Sequence, residues 1–266
     1  MESIDKSSQS ISKMFNSIAP KYDFIGHFFS LGIDRYWRKK TVESIVMENH
    51  YNCLDIATGT GDMVFYLSRK KPASIIGMDI SDLMLDVAKN KAKKYKHHGK
   101  ISFINADAEN IPFPDETFDV VTIAFGIRNF QNPIKSLHEI KRVLKKNGSL
   151  HIIELTIPSN FFGKLYKFYL SKLMPFLANL ISRKAKVYNY LPKSIEQFAQ
   201  GDNFIKLMND CGYFQTKYSS FSAGIATHYL GYKSQTLVSD FSNNSNFERL
   251  IEKYNKNKQK SFNLLN

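Results

Sequence analysis

Two glycines separated by one residue, Gly59 and Gly61, follow a short apolar run at residues 52–56. Glycine lets a chain turn tightly and brings backbone N–H groups close to a ligand. The dinucleotide-binding pattern requires a third glycine three residues later, but Val64 occupies that position. The sequence contains no Gly-Lys-Ser/Thr phosphate loop. The loop therefore predicts a ligand other than NAD or ATP.

Acidic residues flank the ends of three successive apolar runs. Asp79 ends the second run and is positioned to accept hydrogen bonds from both hydroxyls of a ribose, or else to cap a helix. Asp55, just before the glycine loop, either anchors that loop or meets a cationic group of the ligand. Asp107 follows the third run and could accept from an adenine amino group. Together they outline a groove at the carboxyl ends of strands, where open α/β sheets bind ligands.

The elements that must position these residues alternate between strands and helices. Ser81 is a helix cap, and Pro133 stands in a first helical turn. This order predicts a doubly wound, mostly parallel sheet. The predicted strands are residues 52–56, 74–78, 101–104, 118–125, 150–155 and 224–232, and the predicted helices are 10–15, 62–69, one beginning after Ser81, 133–144 and 194–211.

The 266 residues suit one large α/β domain with short appendages. No run of about 18 uncharged apolar residues could span a bilayer, and the first 12 residues lack the apolar core of a secretory signal, so we expect a cytoplasmic protein. The two cysteines, Cys53 and Cys211, support neither a disulfide framework nor a zinc cluster, and we expect no metal. The net charge of +13 is compatible with binding to an anionic membrane or to a nucleic acid, and also with a composition bias that has no functional role.

Residues 161–186 mix aromatic and apolar residues with six lysines and arginines, and no acidic residue lies between Glu154 and Glu196. This composition is typical of an amphipathic segment that contacts a membrane surface; the alternative is a helical cap whose lysines are merely solvated. Pro175 would interrupt a single helix here. The polar tail, residues 233–266, is predicted to be mobile.

Several stretches together resemble a known family. They are residues 54–62 (LDIATGTGD), 111–115 (IPFPD) with 117–119 (TFD), 125–129 (FGIRN), 21–23 (KYD) with Trp37, and 142–145 (RVLK) leading to Glu154. This combination is similar to the ubiquinone and menaquinone biosynthesis C-methyltransferases, within the seven-strand S-adenosylmethionine-dependent class. The resemblance covers roughly residues 10–232 and leans to the menaquinone branch.

The resemblance implies a Rossmann-like, seven-stranded methyltransferase core at residues 49–232, an N-terminal helical lid at 1–48 and a helical insertion at about 160–200. It implies S-adenosylmethionine as cofactor, with contacts at Thr60, Asp79, Asp107 and Ala108. Adding the residues of the glycine loop, the predicted cofactor-binding set is Asp55, Gly59, Thr60, Gly61, Asp79, Asp107 and Ala108.

The implied substrate is a prenylated quinol, whose ring carbon attacks the sulfonium methyl group. Tyr22 and Phe24 precede the core and are candidates for a lid that excludes water, or for ordinary core packing. Arg128 and Asn129 follow the fourth strand, where the substrate should lie. Arg128 could stabilise the quinolate or hold a water that acts as base, unless it forms a structural salt bridge. The predicted catalytic set is Arg128, Asn129 and Tyr22.

Some positions depart from the family pattern. Gly26 and His27 replace the usual pair after Tyr-Asp, Asp34 stands where histidine is common, and Ala124 stands where a serine often contributes a contact. His228 is shifted by one from the usual histidine position, which Tyr229 occupies, so we assign it no catalytic role.

The predicted reaction is methylation of demethylmenaquinol to menaquinol. Alternatives are the ubiquinone-precursor quinol or another small acceptor, an RNA methyltransferase, and a non-catalytic binding protein of this fold. Nucleic acid is disfavoured because no RNA-binding module or amino-gripping loop occurs. We expect peripheral contact at the inner face of the membrane and allow for a homodimer.

Overall fold

Seven strands form one sheet in the computed structural model, which describes residues 4–95, 100–159, 161–174 and 185–235. In sheet order they run β3-β2-β1-β4-β5-β7-β6; the first five are parallel, and β7 is antiparallel to both β5 and β6. This arrangement confirms the predicted doubly wound, mostly parallel sheet. The strands are β1 (Asn52–Ile56), β2 (Ser74–Asp79), β3 (Ile101–Asn105), β4 (Phe118–Ala124), β5 (Leu144–Leu155), β6 (Phe214–Phe221) and β7 (Ala226–Tyr232).

Helices cover both faces and the carboxyl edge of the sheet. Two begin as predicted, because the Ser81 hydroxyl accepts from the Met84 N–H at 3.3 Å and Asn132, just before Pro133, accepts from the Lys135 N–H at 3.0 Å. The described helices are α1 (Ser8–Asn16), α2 (Tyr22–Phe29), α3 (Ile33–Ser44), α4 (Asp62–Ser68), α5 (Asp82–Ala92), α6 (Pro133–Val143), α7 (Phe161–Phe168), α8 (Ala185–Gln197) and α9 (Asp202–Asp210).

The core lies on both faces of the central strands, since neighbouring residues of a strand point to opposite faces. Leu54 of β1 packs with residues of α6 and α9. Cys53, one position earlier, packs with residues of α4 and with Val42 of α3. Helix α3 thus contributes to the core although it lies within the predicted lid, and the boundary at residue 48 stays a prediction.

Two details of the predicted elements were wrong. The predicted helix 194–211 is two helices, α8 and α9, and the chain turns between them at Gly201, where φ is +56°. Strand β6 was not predicted, because as an edge strand it exposes most of its residues and carries no alternating apolar pattern.

Helix α7 continues into a π-helical turn, Tyr169–Leu173. Pro175 and most of the tail lie outside the described residues. Within the described part of the chain, no helix has both the length and the apolar character needed to cross a bilayer.

Candidate active site

A cleft opens where β1, β2, β3 and β4 end. Six residues predicted for the site line this cleft: Tyr22, Gly59, Asp79, Asp107, Ala108 and Asn129. The other four, Asp55, Thr60, Gly61 and Arg128, lie behind its wall. We call the part around Gly59, Asp79, Asp107 and Ala108 the glycine-loop end, and the part around Tyr22, Arg128, Asn129, Glu154 and Tyr190 the Arg128 end.

Asp55 anchors the glycine loop from inside the protein. Its two carboxylate oxygens accept from the hydroxyls of Thr58 and Thr122, both at 2.6 Å. The side chain is fully buried, and burial raises its pKa to about 7. Of the two roles predicted for Asp55, the geometry favours the anchor.

The two glycines serve different purposes. Gly59 has φ +56°, and a Cβ added there would meet no atom within 4 Å, so this part of the loop faces open space. Gly61 has φ +86°, and an added Cβ would lie 3.2 Å from the Cβ of Ala88 on α5. Gly59 therefore leaves room for a ligand, and Gly61 lets the loop pack against α5.

Asp79 joins the loop to the end of β2. Its carboxylate accepts from the N–H groups of Gly59 at 2.8 Å and Ser81 at 2.9 Å. Burial raises its pKa to about 6. Each carboxylate oxygen has two acceptor sites, so Asp79 can receive two further donors from the cleft.

Asp107 lies farther along the same edge and accepts from the Glu109 N–H at 2.9 Å and from the hydroxyl of Ser8 on α1. Helix α1 is also fixed at Asn16, whose side-chain oxygen accepts from the Ser81 hydroxyl at 2.7 Å. The first helix therefore spans the glycine-loop end of the cleft.

Thr60 contacts helix α2 rather than the cleft. Its hydroxyl donates to Asp23, and the Lys91 ammonium lies 2.8 Å from Asp23 and 2.6 Å from Asp62. We call Asp23, Thr60, Asp62 and Lys91 the Asp23 latch, because they fasten α2 to the glycine loop and α5. Phe24, the other lid candidate, is 61% exposed and stacks on Phe28.

A second polar group adjoins the latch. Among the described residues, His27, Asp34 and Asp62 are the one set of three potential metal ligands that lie together. Asp34 is already paired with Arg38 at 2.6 Å, and Asp62 with Lys91. These carboxylates are neutralised by cations of the protein, so this geometry adds no reason to expect a metal.

A buried ion pair dominates the Arg128 end. Arg128 pairs with Glu154 of β5, which has no exposed surface, and also donates to the Phe125 carbonyl at 2.7 Å. Its Nε is buried and has no hydrogen-bond partner among the described residues. The structural salt bridge that was the alternative role for Arg128 is thus present, and its Nε–H remains a buried donor without a partner among the described residues.

Asn129 and Tyr22 complete this end. The side-chain oxygen of Asn129 accepts from the Tyr190 hydroxyl of α8 at 2.8 Å. Burial raises the pKa of Tyr22 and raises that of Tyr190 to about 12, so both phenols keep their protons at neutral pH. The backbone nearby is strained at Phe125, which has φ +63°. The next residue, Gly126, leaves room for Ala57, because an added Cβ would lie 2.5 Å from the Ala57 side chain.

Comparison with known proteins identifies the family of this chain. A model of the ubiE/COQ5 methyltransferase family matches residues 3–233. The chain belongs to this family. A ubiquinone/menaquinone biosynthesis C-methyltransferase UbiE of Geobacter is 39% identical over 236 residues, which cover 88% of this chain and 100% of the relative. A demethylmenaquinone methyltransferase of Bacteroides fragilis is 39% identical over 230 residues, covering 86% and 94%.

Solved structures share the fold at lower identity. A methyltransferase of Thermotoga maritima, described as a possible histamine N-methyltransferase, has a TM-score of 0.61 at 19% identity and covers 84% of this chain and 99% of its own. The cyclase SpnF has a TM-score of 0.56 at 16% identity, covering 85% and 95%. Because a cyclase shares this fold, the fold alone does not determine the reaction.

The family assignment confirms the predicted methyltransferase and its cofactor, S-adenosylmethionine. The roles of individual residues stay predictions. Sequence reasoning gave no site role to Asp23, Glu154 and Tyr190, although two of them lie in stretches that carried the resemblance. An unusual acid in an apolar strand is the signal that points to Glu154, and nothing local distinguishes Tyr190.

Proposed function

We propose that this protein methylates a ring carbon of demethylmenaquinol, using S-adenosylmethionine, to form menaquinol. The observation that carries the proposal is a single cleft with carboxylates at one end and a buried arginine, an amide and phenols at the other. Relatives named for this reaction and for the ubiquinone pathway are 39% identical over most of their length. When bound, S-adenosylmethionine supplies an electrophilic methyl group.

The glycine-loop end suits this cofactor in its donor and acceptor chemistry. Asp79 retains acceptor sites for the ribose hydroxyls, and Asp107 retains sites for an amino group of the base. Gly59 leaves the space that a bulky ligand needs, and Ala108 adds an apolar wall. Asp55, Thr60 and Gly61 act indirectly, by fixing the loop and fastening the lid.

The Arg128 end would hold the acceptor. The reaction joins an anionic ring to a cationic donor, and a dry site favours this neutralisation of charge. Tyr22 excludes water from the cleft. From behind the wall of the cleft, Arg128 stabilises the quinolate through its positive charge, while Glu154 holds the guanidinium in place. Asn129 positions the ring by a hydrogen bond from its amide, whose oxygen is occupied by Tyr190.

The prenyl chain of such a substrate lies in a membrane, and we propose that two helices bring the cleft to it. Helix α2 and the π-helical turn that follows α7 meet at a buried cluster around Ile25 and Leu170, and the Tyr169 hydroxyl donates to the Phe29 carbonyl at 2.8 Å. Exposed apolar residues cover both helices, with Lys164 and Lys172 beside them to meet anionic headgroups. We call this set the membrane surface: Phe24, Phe28, Leu31, Phe161, Leu165 and Phe168.

Experiment, rather than geometry, distinguishes demethylmenaquinol from other methyl acceptors. The ubiquinone-precursor quinol would fit the same chemistry, and relatives are named for both pathways. RNA has less support, since the exposed lysines of α7 adjoin large apolar side chains rather than a polar groove. A homodimer is compatible with the proposal and not required by it.

The test is transfer of labelled methyl from S-adenosylmethionine to chemically reduced acceptors in detergent. We expect labelled menaquinone from demethylmenaquinol, less product from the ubiquinone precursor, and none from transfer RNA or from the oxidised quinone. No product from any quinol, with cofactor binding intact in calorimetry, would overturn the proposal.

A further inference from the structure

Lys6 occupies a fixed position at the start of the first helix. It directly precedes Ser7, the N-cap of α1, whose hydroxyl accepts from the Ser10 N–H at 3.4 Å. The Asp5 carboxylate accepts from the Ser7 N–H at 2.9 Å and from the Ser10 hydroxyl. The backbone on either side of Lys6 is therefore held in one conformation.

The Lys6 side chain lines the same cleft as Tyr22 and Asn129. Within the part of the chain that the structure describes, its ammonium group has no hydrogen bond or ion pair. Lys6 is half-buried, and lysines are almost never fully buried unless they are paired. An unpaired amine in a binding cleft points to a ligand that the amine serves.

The surroundings of Lys6 lower the pKa of its amine. Burial lowers the pKa of this amine, and the positive charge of Arg128 lowers it further, whereas Glu154 raises it. Glu154 is already committed to Arg128. The other titratable groups that line the cleft are Tyr22, Asp79 and Asp107.

These other groups are poorly suited to take a proton from a quinol hydroxyl. Tyr22 is a phenol with a raised pKa, and so is Tyr190 nearby. Asp79 and Asp107 lie at the glycine-loop end and accept from backbone N–H groups. Arg128 stays charged and cannot act as a base.

We propose that Lys6 is the general base of the reaction: its neutral amine accepts the hydroxyl proton of the quinol bound beside Asn129 and Arg128. This inference rests on the proposed function. The quinol gives its O–H proton to the Lys6 Nζ and becomes a quinolate. A C–C bond then forms from the ring carbon to the methyl group as the C–S bond breaks, and its electron pair stays on the now neutral sulfur.

The methylated ring is then a ketone tautomer that still carries a C–H proton at the new centre. Loss of that proton to solvent restores the aromatic ring, and the Lys6 ammonium returns its proton to the ring oxygen. The sum is one quinol and one sulfonium cation converted into one methylated quinol, one thioether and one proton. Lys6 ends in the form in which it began.

Two variants separate a base from a mere positive charge. Lys6→Gln removes both, whereas Lys6→Arg keeps the charge in a group that cannot lose its proton. We expect kcat for demethylmenaquinol to fall about 100-fold in both, which is the lower end of general-base catalysis. Lys13→Gln changes an exposed lysine of α1 and should leave kcat unchanged.

The pH profile and a labelling experiment add independent readouts. In the native enzyme kcat should rise with pH as Lys6 loses its proton, and Lys6→Gln should lose that rise. Competitive acylation of the cofactor-free protein, read by mass spectrometry, should find Lys6 titrating below the ordinary range of lysine. If the native enzyme turns over, an unaltered kcat in Lys6→Arg, or titration of Lys6 in the ordinary lysine range, would overturn the inference. Absence of turnover in the native enzyme would instead count against the proposed function.

Discussion

At the glycine-loop end of the cleft, the polar groups follow three neighbouring strands, and most of their contacts are to backbone N–H groups, as in the contact of Asp79 with Gly59. At the Arg128 end, the groups come from chain segments far apart. Arg128 meets Glu154 from 26 positions away, and Asn129 meets Tyr190 from 61 positions away. The first end depends on local turns, whereas the second depends on the packing of the whole domain.

This difference predicts how a substitution at each end affects cofactor affinity and stability. A change at the glycine-loop end should alter cofactor affinity while the fold survives, because the backbone supplies most of its contacts. A change at the Arg128 end should first cost stability, because it breaks a buried ion pair.

The largest expected effect is at that ion pair. Glu154→Gln leaves the buried Arg128 charge without its partner and should lower the free energy of unfolding by about 3–5 kcal/mol. Urea denaturation measures this loss. The matched control is Asp115→Asn, which breaks the exposed pair with Arg142 at 2.8 Å and should cost under about 1 kcal/mol. Similar losses in both variants would remove the contrast between the two pairs.

The second prediction concerns the glycine-loop end. Asp79→Ala removes a charged acceptor for two hydroxyls, and hydrogen bonds to charged groups contribute about 1.5–3 kcal/mol each, so we expect Kd for S-adenosylmethionine to rise at least about 100-fold. Calorimetry checks this value. Asp86→Ala, an exposed acid on α5, is the control. An unchanged Kd in Asp79→Ala would mean that the carboxylate serves only as a cap.

The third prediction uses the raised pKa of Asp79, about 6. The ribose hydroxyls donate to the ionised carboxylate, so cofactor binding should be constant above this pKa and weaken as the pH falls through it. The limiting loss is about tenfold per pH unit. Calorimetry from pH 5 to 8 tests the sign, and Asp79→Asn should flatten the profile. Tighter binding at low pH would contradict this role.

A fourth, smaller effect tests the membrane surface. Lys164→Gln and Lys172→Gln each remove about 1 kcal/mol of attraction to anionic lipid, or roughly fivefold in partition constant. Sedimentation with vesicles containing phosphatidylglycerol measures it, and neutral vesicles should show no difference between variants. Lys89→Gln on α5 is the control for a lysine elsewhere. Equal losses in all three variants would indicate a general charge effect.

The smallest effect is expected at the Asp23 latch. Asp23 and Lys91 are only partly buried, and such pairs contribute about 1 kcal/mol or less, so Lys91→Ala should raise KM for the cofactor only a few-fold. Steady-state kinetics measures this change, and Lys89→Ala, two positions earlier on α5, is the control. A rise in KM as large as the rise in Kd expected for Asp79→Ala would mean that the Asp23 latch contributes as much to cofactor binding as Asp79 does.

The sequence was informative where function depends on neighbours in the chain. The glycine loop, Asp79 and the parallel strands follow from turn chemistry and apolar patterns. Lys6 and Tyr190 could not be assigned in this way, because they come together only when distant segments pack. Strand β6 was missed for a related reason: its pairing with β7 is visible only in the folded sheet.

The central claim is that the two ends of the cleft have separate tasks, and the double variant Arg128→Met, Glu154→Leu tests it most directly. It replaces the buried pair with apolar side chains and should retain stability. The measurement is the single-turnover rate of methyl transfer to demethylmenaquinol at saturating S-adenosylmethionine, with Kd for the cofactor determined on the same sample. We expect an unchanged Kd and a rate at least about 100-fold lower, which is a loss of about 2.7 kcal/mol of transition-state stabilisation. A native rate, or a lost rate caused by lost cofactor binding, would contradict this claim.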